Sequence, residues 1–454
     1  MLHPLVRWIS RRALLWFYRD LTIVGAERIP AHGPVLVIGN HPNDLPDVLI
    51  GFLATGRPVR YVATSAAATS VAVRWTYRGL RVIPVTRVRD ARKMKARGVD
   101  MAAANRVAYQ RVTDALGAGD AVGVFPEGGV HAGPGIGAIR SGVAKLALES
   151  TLAGATSGLL IVAVGVQYEA PDRPESDVLA MTGDPLALDE WLLTAGERPH
   201  AAFTVELRRM LEAVSRNAVT RAEGEERDRV LAAVGASIAT PGEPPIAAAH
   251  RVLPAWHRMV QDAGTAAAVA ELGRAAALAR GHANSAADCR RVIDAASGAR
   301  GTSILRLLAL APLALVGLVL HAPVFRLSLL VSKRISETAS DRAARTIVPG
   351  LYLMFVWYAV LALLLAAALR MAPDSPVGWP VALATVTGLL LLLPRLGDLA
   401  VGWRRALRAF RLERRVSRLP EHQRATIRTS AQTLQEAHAA WVSHLHGSEV
   451  SVLA

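Results

Sequence analysis

Short apolar runs alternate with alanine-rich stretches from about residue 20 to residue 170. The apolar runs are rich in β-branched residues and read LTIVGAERI, PVLVIGN, VRYVAT, AVGVFPE and LLIVAVGVQY. Runs of this length and composition predict buried strands, and the alanine-rich stretches between them predict helices. Strands that alternate with helices predict an α/β layer architecture for this part of the chain.

Beyond residue 200 the pattern becomes helical and charged, and after residue 300 three long uncharged stretches follow, at 307–325, 347–369 and 377–394. The second and third are long enough to cross a bilayer and predict a transmembrane hairpin. The first stretch is interrupted by Pro312, Gly317, His321 and Pro323. We therefore expect a re-entrant or interfacial segment there, with a buried soluble helix as the alternative.

Basic residues flank both ends of the predicted hairpin. They are Lys333, Arg334, Arg342 and Arg345 before it, and Arg404, Arg405, Arg408, Arg411, Arg414, Arg415 and Arg418 after it. Positively charged flanks are typical of the cytoplasmic side of a membrane. Both ends of the hairpin are therefore expected to face the cytoplasm.

The N-terminal stretch MLHPLVRWISRRALLWFYRD carries four arginines among its apolar residues, at Arg7, Arg11, Arg12 and Arg19. This spacing is unlike the unbroken apolar core of a signal peptide. It predicts an amphipathic helix that lies at a membrane surface. An ordinary helix packed on the following domain is the alternative, because apolar periodicity does not identify the partner of a helix.

The chain is strongly basic, with 52 lysines and arginines against 37 acidic residues and a net charge of +15. This balance suits an anionic partner, which could be a lipid headgroup, a phosphorylated substrate or a nucleic acid. Nucleic acid is disfavoured because the densest arginine adjoins apolar spans and not a recognisable binding module. The single cysteine, Cys289, excludes an intrachain disulfide and favours a reducing compartment.

His41 follows the apolar run PVLVIGN, in the segment HPNDLPD. A loop at a strand end is where α/β proteins commonly hold reacting groups. Asp47 lies in the same segment, and a carboxylate that binds one imidazole nitrogen leaves the other free to act as a base. The pair predicts a general base that deprotonates an alcohol, with a structural turn histidine as the alternative.

Two further segments carry candidate binding groups. GLRVIPVTR, from Gly79 to Arg87, predicts a short strand that ends on an arginine, a side chain that binds phosphate well. In VGVFPEGGVHAG an apolar strand leads to Glu127, which could bind a glycerol hydroxyl, and to Gly128, where the backbone allows close approach. Downstream, Arg140 and Lys145 add positive charge, and His131 is interpreted as a loop histidine. Solvated surface arginines remain the alternative for Arg87.

In this order, the blocks NHPNDLPD, GLRVIPVTR, FPEGG and IVAVGVQY resemble the four motifs of the glycerol-phosphate and lysophosphatidate acyltransferase family. The resemblance covers about residues 15 to 190. It implies a helix-flanked mixed β-sheet and a thioester donor, acyl-CoA or acyl carrier protein, without a cofactor or metal. It also implies that His41 is the base, that Asp47 orients it, and that the acceptor binds at Gly79, Arg87, Glu127, Gly128 and Arg140.

Two departures from the family pattern stand out. Five residues separate His41 from Asp47, where the commonest motif has four. This wider spacing resembles a branch that includes fungal glycerol-3-phosphate and dihydroxyacetone-phosphate acyltransferases. Ala163 stands where the fourth motif usually has proline, while Arg140 replaces a lysine and keeps its charge.

The resulting prediction is an α/β acyltransferase domain followed by a helical region and a C-terminal transmembrane hairpin. Its parts are an amphipathic helix over 1–19, the acyltransferase domain over 20–215, the helical region over 216–303, membrane segments over 304–400 and a basic tail over 401–454. We expect an integral membrane enzyme with its active site on the cytoplasmic face. Its expected partners are a glycerol-phosphate or lysophospholipid acceptor, the acyl donor and anionic membrane lipids.

Three other functions compete with this prediction. A serine hydrolase would need a G-x-S-x-G elbow, and the sequence contains none. A metal-dependent phosphoesterase would need histidine and carboxylate ligands at paired spacing, and the sequence lacks such a pattern. A lipid-binding protein that keeps the fold without catalysis remains the main alternative, although the presence of both His41 and Asp47 favours an enzyme.

Overall fold

The structure is a computed structural model that describes residues 2–64, 78, 81–86, 98, 100–131, 133, 135–152, 154–216, 220–279, 285–299, 301–336, 339–370 and 379–452. The chain forms two compact units, described here one at a time. The first contains residues 1–15, 20–171 and 177–224, and the second contains residues 16–19, 172–176 and 225–454.

The first unit is built on a β-sheet that has eight strands among the described residues. They are β1 (Asp20–Val24), β2 (Val35–Gly39), β3 (Val59–Thr64), β4 (Ile83–Val85), β5 (Ala121–Val124), β6 (Leu160–Tyr168), β7 (Asp177–Thr182) and β8 (Leu186–Ala187). Their order is β1-β7-β6-β2-β5-β3-β4, with β8 also paired to β6. Strand β6 runs antiparallel to β7 and β8, while the other pairs are parallel. The predicted mixed sheet is therefore confirmed.

Strand β2 lies at the centre, where Val35 pairs with Ala121 of β5 on one side and with Leu160 of β6 on the other. All five of its residues are buried. Because β2, β5 and β6 are parallel, the segments that follow them meet at the same edge of the sheet. This edge carries His41, the FPEGG segment and the end of β6.

Helices of the first unit flank this sheet. They are α1 (Leu2–Phe17), α2 (Leu45–Ala54), α3 (Met101–Gly117), α4 (Ser141–Leu152), α5 (Leu188–Leu192), α6 (Pro199–Val214) and the start of α7 (Arg221–Ile238). Helices α3, α4 and α6 bury apolar side chains against the sheet, including Leu116, Leu148 and Phe203. Burial of side chains of this size contributes about 1.5–3 kcal/mol each, so this layer is the main core of the unit.

Helix α1 has two faces. Leu14 is buried, while Leu5 and Trp8 are about half exposed. Arg7 donates hydrogen bonds to the carbonyl oxygens of Phe52 and Leu53, at the end of α2. One face therefore packs on the domain, and the other presents apolar side chains, while a location at a membrane surface stays a prediction.

The second unit is helical in its described part. Its helices are the rest of α7, α8 (Pro245–Val252), α9 (Trp256–Gln261), α10 (Ala263–Ala276), α11 (Ala286–Ala296), α12 (Ile304–Ile335), α13 (Ala339–Arg370), α14 (Trp379–Ser417) and α15 (Glu421–Val452). A core that includes Leu231, Leu272, Val292, Val416 and Leu434 joins α7, α10 and α11 to the end of α14 and to α15. The predicted helical region and basic tail thus share one core.

Three helices of this unit are long and apolar enough to cross a membrane, over Ile304–Ile335, Arg342–Leu365 and Val386–Ser417. They expose large apolar side chains such as Leu305, Val319, Leu363 and Leu391. Their polar groups pair with each other instead, since His321 Nε2 lies 2.8 Å from Tyr358 Oη and Trp357 Nε1 donates to Leu320 O. Helices that are apolar outside and hydrogen-bonded to each other are typical of membrane proteins.

The two basic ends of the predicted hairpin lie at one short segment. Arg342, at the start of the apolar part of α13, forms an ion pair with Asp172 at 2.8 Å. Arg404 and Arg408, at the end of the apolar part of α14, both pair with Glu175. Because Asp172 and Glu175 are three positions apart, α13 must begin on the same side as α14 ends.

Helix α12 was expected to contain a re-entrant segment, and the structure shows one continuous helix with Pro312 and Pro323 inside it. The segment before it is held at α14, where Thr302 Oγ1 donates to Glu413 Oε1 at 3.0 Å. Its end is held at the start of α13, where Ser332 Oγ donates to Arg342 O at 3.1 Å. Both ends of α12 therefore lie near the basic ends of the hairpin.

Two strands were not predicted. Strand β7 comes from DVLAMT and β8 from only two residues, Leu186 and Ala187. The expected strands in the five apolar runs and in GLRVIPVTR are present as β1, β2, β3, β5, β6 and β4. The predicted domain boundaries differ from the two units in detail and stay a prediction.

Candidate active site

His41 is held at the edge of the sheet by its neighbour Asn40. The Asn40 side chain donates from Nδ2 to Val166 O at 2.9 Å and accepts at Oδ1 from Val166 N at 2.7 Å. The amide group thus continues the pairing of β2 with β6 after the β2 backbone has turned away. Two hydrogen bonds in a buried place fix the chain direction, so the position of the His41 backbone is well defined.

The imidazole of His41 pairs with Asp47, as the sequence predicts. His41 Nδ1 lies 2.9 Å from Asp47 Oδ2, and Asp47 is fully buried in the first turn of α2. An ionised carboxylate only accepts hydrogen bonds, so Nδ1 carries the proton and Nε2 is left as the basic nitrogen. Asp44 begins the same helix at a positive φ of 50°, and the structure brings Asp47 and not Asp44 to the imidazole.

Two more donors satisfy the buried Asp47 carboxylate. The backbone N–H of Asn43 donates to Oδ2 at 2.6 Å, and the hydroxyl of Tyr168 donates to Oδ1 at 2.5 Å. A buried charge is stable only when it is paired and hydrogen-bonded. Tyr168 belongs to the fourth motif and lies 121 positions from Asp47, so no local pattern in the sequence pointed to this contact.

Two aromatic rings stack in series against the imidazole of His41. The Phe125 ring stacks on the imidazole with 4.1 Å between centroids, and Tyr61 stacks on Phe125 at 5.8 Å. Gly123 leaves the room that Tyr61 needs, because a Cβ there would lie 2.5 Å from the ring. Burial, together with the nearby negative charge of Asp47, raises the pKa of Tyr61 above its ordinary value. The phenol therefore stays neutral at physiological pH.

The FPEGG segment is hydrogen-bonded to the loop that carries His41. Glu127 accepts hydrogen bonds from His41 N at Oε1 and from Gly137 N at Oε2, each at 2.8 Å. The His131 backbone N–H donates to His41 O at 2.8 Å. Glu127 is thus engaged by backbone groups on both oxygens, and binding of an acceptor hydroxyl by it stays a prediction.

A pocket of about 200 Å³ opens beside Glu127. It is lined by Glu127, Gly128, Gly129, Val130, His131, Gly137, Ala138 and Arg140. Gly128 has a positive φ of 73°, which places its backbone where a side chain would be strained. Arg140 precedes α4 and supplies a permanent positive charge, so the pocket suits an anionic group.

The structure brings together most of the predicted site residues. His41, Asp47, Glu127, Gly128 and Arg140 lie at one edge of the sheet, whereas Gly79 and Arg87 fall outside the described residues. Lys145 lies on α4 and pairs with Glu149 at 3.6 Å instead of lining the pocket. His131, interpreted as a loop histidine, does line it. No group of three or more potential metal ligands occurs in the described part of the chain.

Parts of this chain are similar to known proteins. Residues 20–167 match the family model named Acyltransferase. The glycerol-3-phosphate O-acyltransferase 2 of Saccharomyces cerevisiae is 34% identical over 85 residues, which are 19% of this chain and 11% of that protein. A crystal structure of the 1-acyl-sn-glycerophosphate acyltransferase of Thermotoga maritima covers 46% of this chain and 76% of its own, with 16% identity and a TM-score of 0.35.

The match and the histidine–aspartate pair together define residues 20–167 as an acyltransferase domain. The resemblance found in the four motifs is supported by this match to the Acyltransferase family and by the short match to a glycerol-3-phosphate acyltransferase.

Proposed function

We propose that the protein is a membrane-bound O-acyltransferase that transfers a fatty acyl group from acyl-CoA or acyl carrier protein to a hydroxyl of glycerol 3-phosphate or 1-acylglycerol 3-phosphate. The observation that carries the proposal is the pairing of His41 with the buried Asp47, next to a pocket lined by Arg140. A base beside an anion-binding pocket suits an acceptor that has both a hydroxyl and a phosphate.

In the proposed reaction, His41 Nε2 takes the proton of the acceptor hydroxyl as its oxygen attacks the thioester carbonyl. The tetrahedral intermediate then expels the thiolate, which receives the proton from the imidazolium. Asp47 holds the imidazole in the required tautomer and stabilises its positive charge. The chain supplies these groups itself, and the acyl donor enters as a co-substrate and not as a cofactor.

The acceptor phosphate is assigned to the pocket at Gly128 and Arg140, with Gly79 and Arg87 as further binding groups implied by the family motifs. The short match to a glycerol-3-phosphate acyltransferase supports glycerol 3-phosphate as the acceptor. Anionic membrane lipids are proposed partners of the end of α14, where Arg411 and Arg414 are exposed, and of Arg418 just after it. We place the active site on the cytoplasmic face, as the basic flanks of the hairpin predict.

The test measures transfer of radiolabelled acyl groups from palmitoyl-CoA by membranes that contain the protein, with glycerol 3-phosphate, dihydroxyacetone phosphate or lysophosphatidate supplied separately. We expect acceptor-dependent product with the wild type and a loss of about 10²-fold or more with His41→Ala. His200→Ala is the matched control, because His200 is exposed at the start of α6.

Equal activity of His41→Ala and His200→Ala would contradict the proposed base. If the wild type acylates no acceptor, even with acyl carrier protein donors, the result favours the alternative of a lipid-binding protein without catalysis.

A further inference from the structure

Tyr168 is the last residue of β6, and its hydroxyl contacts Asp47 of the His41–Asp47 pair. Its hydroxyl donates to Oδ1 of Asp47 at 2.5 Å, while the other oxygen of Asp47 accepts from His41 and from the Asn43 backbone. Asp47 has no exposed surface, and the Tyr168 side chain is also buried. Every one of these bonds is therefore formed away from water, where it is strongest.

We propose that Tyr168 is a positioning residue of the acyl-transfer reaction, which fixes the Asp47 carboxylate and limits how strongly it holds the proton on His41. The proposal rests on the proposed function of the His41–Asp47 pair. It adds a third member to that pair, on a different element of the sheet.

The backbone of β6 explains why the phenol is held firmly. Val166 is paired with the Asn40 side chain, and Tyr168 is paired with Val178 of β7. Successive strand residues point to opposite faces. Gln167 binds Val214 O of α6 on one face, so Tyr168 points to the other face, where α2 carries Asp47.

The hydroxyl has two consequences for His41. It anchors Oδ1, so the carboxylate cannot rotate and Oδ2 stays aligned with His41 Nδ1. It also shares the negative charge of the carboxylate among three donors. Without it, more of that charge would act on the imidazolium, and His41 would keep its proton to a higher pH.

The experiment compares Tyr168→Phe with Tyr109→Phe, which removes a hydroxyl from a residue exposed on α3. For Tyr168→Phe we expect kcat to fall by about tenfold, because the carboxylate that orients His41 loses a hydrogen-bond donor. The KM values should be unchanged, because Tyr168 does not line the Arg140 pocket. The acidic limb of the pH–kcat profile should move to higher pH, since kcat requires unprotonated His41.

A second readout does not depend on activity. Diethyl pyrocarbonate modifies unprotonated histidine, and mass spectrometry of the peptide that contains His41 gives the pH dependence of its modification. This dependence should move to higher pH in Tyr168→Phe and stay in place in Tyr109→Phe. In the His41→Ala background, Tyr168→Phe should cause no further loss of the residual rate, because residues that act as a unit are not additive.

Thermal unfolding of the detergent-solubilised variants identifies a simple loss of folded protein. An unmoved pH limb, an unmoved modification profile or a further loss in the His41→Ala background would each overturn the positioning role. If the wild-type protein transfers no acyl group, the proposed function is contradicted instead. The pH dependence of His41 modification would then still test the contact of Tyr168 with the His41–Asp47 pair.

Discussion

At the scale of single residues, the Asn40 side chain makes the hydrogen bonds to β6 that a backbone residue of β2 would otherwise make. Its two hydrogen bonds to Val166 need one donor and one acceptor. Asn40→Asp keeps the shape but turns the donor into an acceptor that faces Val166 O, and it adds a buried charge. We expect a loss of stability of about 1–3 kcal/mol or more, together with reduced acyl transfer.

The measurement is the thermal unfolding temperature of the detergent-solubilised protein, followed by the transfer assay. Gln423→Glu is the matched control, since it makes the same amide-to-carboxylate change at an exposed position of α15. Equal unfolding temperatures for the two variants would show that the Asn40 side chain does not fix the loop.

Prediction from sequence worked for residues whose chemistry is local. His41 and Asp47 share one short segment, so their pairing was visible in the spacing. Tyr168 and Val166 contact the same loop from more than a hundred positions away. Such contacts depend on which strands are neighbours, and the order of strands in a sheet is not encoded in the local pattern of any one of them.

At the scale of elements, the parallel strands were predictable because each is a buried apolar run. Strand β7, in DVLAMT, is also buried, but it follows the last of the four family motifs and was not predicted. The close packing of β5 against Tyr61 was not predictable either. It depends on Gly123, whose missing side chain leaves space for a ring from the neighbouring strand.

Gly123→Ala should disturb this packing. A methyl group 2.5 Å from Tyr61 Cε1 must push the ring, which stacks on Phe125 and through it supports His41. Overpacking of this kind costs about 1–3 kcal/mol, and we expect acyl transfer to fall with it. The measurement is again the unfolding temperature of the detergent-solubilised protein, followed by the transfer assay.

Gly273→Ala is the control for this change. Gly273 lies inside α10, and a Cβ there would meet nothing within 4 Å. Alanine is favoured over glycine in a helix by about 1 kcal/mol, so this variant should be slightly more stable. A stable Gly123→Ala variant with normal activity would contradict the role given to the aromatic stack.

The start of α10 should depend on pH through Asp262. Its Oδ2 accepts from the hydroxyl and from the backbone N–H of Thr265, each at 2.7 Å, and these bonds lower the pKa of Asp262 below its ordinary value of 3.8. A lowered pKa gives stability that is complete above the unfolded value and is lost as the pH falls through the folded value. Wild type should therefore lose unfolding temperature below about pH 3.8, relative to Asp262→Asn, which does not titrate. A difference between the two proteins that does not change with pH would contradict this assignment.

At the scale of the whole molecule, the ion pairs of the second unit constrain its topology. Asp172 binds the start of the apolar part of α13, and Glu175 binds the end of the apolar part of α14, so these two helices enter and leave a membrane on one side. Helix α12 is also held at both ends near this side, through Glu413 and Arg342. Its length alone would allow a full crossing, whereas these contacts favour the re-entrant path that the prolines predicted.

Single cysteines placed in a Cys289→Ala background test this topology. A membrane-impermeant maleimide is applied to sealed vesicles of each orientation, with cysteine substituted at Ser297, Ser336, Ser375 or Ser417. We expect positions 297, 336 and 417 to react from the cytoplasmic side and position 375, in the linker of the hairpin, to react from the other side. Reaction of positions 297 and 336 from opposite sides would show that α12 crosses the membrane. It would also contradict two contacts, because residues 225–299 share a core with the end of α14 and the end of α12 is hydrogen-bonded to the start of α13.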